Sequence, residues 1–138
     1  MIDKIYGIVG HFSQEPFQDS SFGGYFRVYS NNAIKGRLVD VCSSKIEGDM
    51  VDDVLQFTKI YDSRTIVRQI ANSCSVLLRF GEVEYSYRKT GNVWIGEWNF
   101  KDPYNISWHY DIIEELNPDR PALSGRTQCV IYPLENLS

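Results

Sequence analysis

Apolar residues recur along this chain in short runs about 8–12 residues apart, with turn-forming residues between them, the spacing of an all-β sandwich or barrel. Ile5–Phe12 is the first predicted strand. Gln14–Ser21 is polar, contains Pro16 and reads as a loop; Gly23-Gly24 then opens a strand over Tyr25–Tyr29. Asn tolerates positive φ, so Asn31-Asn32 is a tight-turn pair leading into Ile34–Cys42. Ser43-Ser44 and Asp52-Asp53 delimit Lys45–Val51 and Val54–Tyr61. In Glu82–Arg88, Val83, Tyr85 and Tyr87 alternate with Glu82, Glu84 and Ser86, and Thr90-Gly91-Asn92 turns into Val93–Phe100. Ile106–Ile113 follows, and Gly125–Tyr132 is one further, C-terminal strand. Arg64–Phe80 fits either a short helix or a strand with an irregular insertion. Asp111–Leu116 equally fits the start of a helix before the rigid Asn117-Pro118 and Arg120-Pro121 connector.

Glycine refines this picture. Ile34-Lys35-Gly36, Ile46-Glu47-Gly48 and Trp94-Ile95-Gly96 each place Gly two residues after a large apolar residue. Glycine weakens a strand interior, so its recurrence points to sharp bending or to another side chain packed closely on it. Strongly curved antiparallel strands close into barrels; ordinary bulges in a sandwich are the other explanation.

Composition narrows the class. The 138 residues are 43% hydrophobic, 23% charged and 14% aromatic, which fits a single domain over 1–138 and excludes disorder. Tyr, Phe, Trp, Val and Ile are abundant and Ala is scarce, against a helical bundle. A net charge of -4 with no basic run argues against nucleic acid as a partner. No stretch approaches the roughly 20 apolar residues of a membrane span. The opening Met-Ile-Asp-Lys-Ile-Tyr has no signal-peptide core, so a cytoplasmic location is expected. Cys42, Cys74 and Cys129 are widely spaced and odd in number, which suits buried free thiols rather than a zinc cluster or disulfide framework.

The order of short elements resembles the lipocalin-like (calycin) barrels. The residues that carry the resemblance are Gly24, Phe26 and Val28; Ile34, Gly36, Leu38 and Asp40; Ile46 and Gly48; Phe57, Lys59 and Tyr61; Gly96 and Trp98. The opening G-x-W of that family is here Gly10-His11-Phe12. The resemblance implies an eight-stranded antiparallel up-and-down β-barrel enclosing a cavity for a small, often apolar, ligand; Arg64–Phe80 and the tail after Leu116 have no counterpart in that pattern and leave room for one short helix and an extra C-terminal strand.

Candidate chemistry follows from alternation, since residues two apart on a strand share a face. Leu55, Phe57, Lys59 and Tyr61 point to the interior, where Lys59 either binds an anionic group of a ligand or pairs with an internal carboxylate such as Asp40. Asp40 either lines the interior or caps its strand end. Trp94, Trp98 and Phe100 share one face, as do Trp108 and Tyr110; with Phe26 they line a pocket or fill a plain core. Tyr25, Arg27 and Tyr29 form the outer face of their strand. His11 is a candidate interior group; His109 and Asp111 form a surface polar pair. No nucleophile elbow, phosphate loop or dinucleotide fingerprint occurs, so no catalytic residue, metal or cofactor is assigned. The expected function is binding of a small apolar or amphipathic ligand inside the barrel. Two alternatives stand: an isomerase- or cyclase-type enzyme using His11, Lys59 or Tyr61, and a filled structural barrel whose partner is a second copy, a homodimer.

Overall fold

Ten strands follow one another among the described residues: β1 (Lys4–Phe12), β2 (Ser20–Val28), β3 (Ala33–Val39), β4 (Ser43–Val51), β5 (Val54–Tyr61), β6 (Ile66–Arg68), β7 (Val76–Leu78), β8 (Glu82–Thr90), β9 (Val93–Phe100) and β10 (Ser124–Pro133). They belong to a computed structural model that describes residues 4–15, 19–40, 43–62, 66–68, 76–78, 82–101 and 123–134. Eight of them form a closed antiparallel barrel in the order β1-β10-β9-β8-β5-β4-β3-β2, an up-and-down wall sealed where β1 pairs with β10. Among the described residues there is no helix, and so none long and apolar enough to cross a membrane. An eight-stranded antiparallel wall is consistent with a calycin-like fold.

Two expectations are sharpened. The predicted C-terminal strand is present, and it closes the wall: β10 pairs with β9 on one side and with β1 on the other. Ile106–Ile113 and the helix start at Asp111–Leu116 lie outside the described residues. Gly23-Gly24 does not open its strand, because β2 already begins at Ser20. Gly24 sits inside the strand opposite Leu38, where a Cβ would fall 2.0 Å from the Arg37 carbonyl oxygen. Between β5 and β8 the ambiguous Arg64–Phe80 stretch contributes the small antiparallel pair β6–β7.

The two ends of the barrel differ. At one end β2–β3, β4–β5 and β8–β9 are joined by tight turns, with left-handed φ at Asn32 (70°), Asp52 (52°) and Gly91 (64°). All longer connections, β1–β2, β3–β4, β5–β8 and β9–β10, leave from the other end.

The repeated glycines account for the curvature. Gly36 stands opposite Phe26, Gly48 opposite Phe57, Gly96 opposite Tyr87 and Gly125 opposite Trp98. Each cross-strand pair thus puts one ring over one vacant position. At Gly48 a Cβ would meet the Gln56 carbonyl oxygen at 1.9 Å and the Phe57 Cα at 2.5 Å, so the coiled wall approaches closer than any side chain permits. The interior is one continuous cluster running from Ile8, Phe26, Ile34, Leu55 and Tyr87 to Trp98 and Phe100. Each fully buried large apolar side chain contributes about 1.5–3 kcal/mol.

Candidate functional site

The interior polar groups gather toward the end from which the long connections leave. Lys59 lies on β5 opposite Ile46 and Val83, and the inward side of the strand carries its side chain into the core, where it is 3% exposed. Its Nζ donates to Asp40 Oδ2 at 3.0 Å, and the Asp40 side chain is itself 7% exposed. Asp40 follows β3 directly, so the inward parity of Ile34 and Leu38 carries through to it. Three rings enclose the ammonium, with centroids 4.7 Å (Tyr61), 5.2 Å (Tyr85) and 5.5 Å (Phe12) from Nζ. The negative faces of these rings replace part of the lost hydration.

Burial alone would push the Lys59 ammonium down, but the oxygens of Tyr85, Tyr61 and Asp40 outweigh it and hold the group well above its ordinary value. Burial pushes the Tyr61 phenol from 10.0 up to about 12 against the opposing pull of Lys59. A second buried network closes the wall between β8, β10 and β1. Thr127 Oγ1 donates its single hydrogen to the His11 carbonyl at 3.1 Å, so the 2.7 Å contact has Tyr87 donating to Thr127. Burial raises the Tyr87 phenol, and it raises the neighbouring Cys129 thiol to about 12.

These shifts act in one direction. An unfolded chain releases the Tyr61 proton near 10.0 whereas the folded barrel holds it to about 12, so across that interval the unfolded state binds fewer protons and stability falls as pH rises. Cys129 acts likewise between 9.0 and about 12, and Lys59 loses its contribution above 10.5. The urea midpoint is therefore expected to hold steady around neutral pH and to fall steeply above about pH 10. The tyrosinate absorbance of Tyr61 and Tyr87 should appear only as the barrel unfolds. A single step near 10 would contradict the burial described.

Of the residues singled out in the sequence, Asp40, Lys59 and Tyr61 come together, and Phe57 joins them through Tyr85, whose ring it stacks on at 5.0 Å. Trp98 reaches the same cluster through Phe12, edge to face at 6.1 Å, and its Nε1 donates to the Ser13 carbonyl at 2.8 Å. Phe26, stacked on Tyr6 at 5.6 Å, and Trp94 belong to the tight-turn half, away from Lys59. Trp108, Tyr110, His109 and Asp111 lie outside the described residues, as do Cys42 and Cys74. His11 is a correction: it alternates with inward Gly10 and Phe12, faces solvent and lies 3.9 Å from Asp19. Two members were missed, Tyr85 and Phe12. The Val83-Tyr85-Tyr87 alternation already marked Tyr85 as inward, and Phe12 holds the position that a tryptophan takes in the G-x-W opening.

Two concave surfaces lie on the outer wall. One of about 330 Å³ is lined by Glu47, Asp49, Gln56, Thr58 and Glu84, and one of about 490 Å³ by Arg88, Ile95, Glu97 and Arg126. No group of three or more metal-ligating side chains occurs among the described residues. Comparison with protein-family models, curated proteins and solved structures gives no match to the chain.

Proposed function

We propose that the protein binds a small, uncharged amphipathic molecule at the end of the barrel from which the long connections leave. The observation that carries this reading is the buried Lys59–Asp40 pair in its cage of Phe12, Tyr61 and Tyr85. A buried ion pair is a poor way to stabilise a core, since apolar residues of similar volume do as well or better. Its presence in an aromatic interior is better explained by a ligand group that needs a donor and an acceptor side by side. The pair is neutral as a unit, so a hydroxyl or amide head group satisfies both members, while a carboxylate or an amine must displace one of them. The surrounding rings supply apolar contact for the rest of the molecule. The resemblance to lipocalin-like barrels supports the same reading. A protonated, paired ammonium is suited to holding a ligand and ill suited to abstracting a proton, which favours binding over catalysis.

Native mass spectrometry of freshly purified protein should reveal a co-purifying small molecule. In parallel, tryptophan fluorescence is titrated with a long-chain alcohol and with the carboxylate and amine of equal length. The alcohol is expected to bind at least about tenfold more tightly, about 1.4 kcal/mol. The Lys59→Met/Asp40→Leu double variant should lose that discrimination. Failure of all three to bind, or unchanged discrimination in the double variant, would sink the proposal.

A further inference from the structure

The outer wall across β10, β1, β2 and β3 contrasts with the acidic side formed by β4, β8 and β9. Gly23, on the outer face of β2, pairs with Val9 on β1 and Val39 on β3. Val9, Val39 and Tyr25, two positions along β2, are 52%, 54% and 50% exposed, the highest values among large apolar side chains here. Gly23 itself lies in open space: a Cβ there would meet only the Ile8 carbonyl oxygen, at 3.8 Å. The result is an apolar hollow with a projecting tyrosine beside it. The same wall shows how such a hollow is filled, because outward Gly7 pairs with Tyr132, whose ring lies within 2.4 Å of where a Gly7 Cβ would stand. At Gly23 no described residue of the chain plays that part.

We propose that this face is the interface of a two-fold dimer in which Tyr25 of each copy seats in the hollow over Gly23 of the other. Knob and hollow are neighbours on one strand, so a single two-fold axis between them satisfies both at once, the requirement for an isologous interface. That axis brings Arg27 over Ser21 of the other copy rather than over a second arginine. A closed wall has no free edge, so two barrels associate face to face and not by adding strands. Ile5, Val130 and Tyr132 continue the apolar surface at 39–48% exposure. Six such half-exposed side chains offer roughly 500 Å², the centre of an interface whose standard size is about 800 Å² per partner. The outward positions of β1, β2, β3 and β10 carry no carboxylate, and the cation nearest the knob, Arg37 opposite Tyr25, is already paired with Asp62.

The test is the mass of the full chain in solution by size exclusion with light scattering, from low to high micromolar concentration. The wild type is expected at twice the chain mass of 15.9 kDa. Gly23→Leu fills a hollow with room for it, and Tyr25→Glu puts a charge on the knob; each should halve the mass while leaving the β-sheet circular dichroism unchanged. A wild type that stays monomeric throughout overturns the proposal, and so does a dimer that survives both substitutions. A monomer that instead binds anionic phospholipid vesicles through Tyr25 would assign the face to a membrane surface and equally overturn it.

Discussion

Asp40→Ala, with Lys59 left in place, is expected to destabilise the barrel by about 3–5 kcal/mol, the cost of leaving a buried charge without its partner. The ammonium is only 3% exposed, and its other neighbours among the described residues are aromatic side chains, which attract a cation without neutralising it. Lys59→Met alone should destabilise for the mirror reason. The double variant Lys59→Met/Asp40→Leu removes both charges and leaves apolar volume, so it should recover to within about 1 kcal/mol of the wild type or exceed it. Urea unfolding of the four proteins forms a double-mutant cycle. A single-variant loss below about 1 kcal/mol would mean that the pair behaves like an exposed salt bridge, contrary to its burial.

Trp98→Ala is expected to cost a similar amount, about 3–5 kcal/mol, through loss of a large buried side chain and the cavity it leaves. The ring contacts Phe12 and Phe100 edge to face, at 6.1 and 5.8 Å, so three aromatics loosen together. Its Nε1 also holds the Ser13 carbonyl at 2.8 Å, just where β1 leaves the wall. Ser13 in turn is tied to Arg126, accepting from its backbone N–H at 3.1 Å and donating its own N–H to the Arg126 carbonyl at 2.9 Å. Trp98→Phe keeps most of the packing and loses only the indole hydrogen bond, so it should cost about 1–2 kcal/mol. Equal losses in the two variants would show that the hydrogen bond, and not the ring volume, is the main contribution.

The wall was legible because its strands are half-buried, and a half-buried strand writes its two faces into alternate residues. Leu55, Phe57, Lys59 and Tyr61 were placed inward on that rule, and so were Trp94, Trp98 and Phe100. The rule fails where the backbone rather than a side chain makes the contact. Gly23-Gly24 reads locally as the start of a strand, and only the approach of β3 explains why Gly24 is kept inside β2. Parity fixed neither the closure of the wall nor the partner of Asp40. Closure depends on β1 meeting β10 across the length of the chain, and the partner depends on β3 and β5 both flanking β4. His11 was open to an interior placement because β1 alternates glycine with apolar residues on both faces, so its pattern carries little parity information.

The seam between β1 and β10 has a consequence for how the molecule comes into being. Its contacts span nearly the whole sequence; the Thr127 hydroxyl reaches the His11 carbonyl across 116 positions. During synthesis the β-meander from β1 to β9 emerges with two unpaired edges, on β1 and β9, and both stay open to other chains until β10 leaves the ribosome. Pairings of such long range close slowly. The last-made strand thus removes both hazards at once, and aggregation during expression should be governed by how quickly Ser124–Pro133 finds its slot.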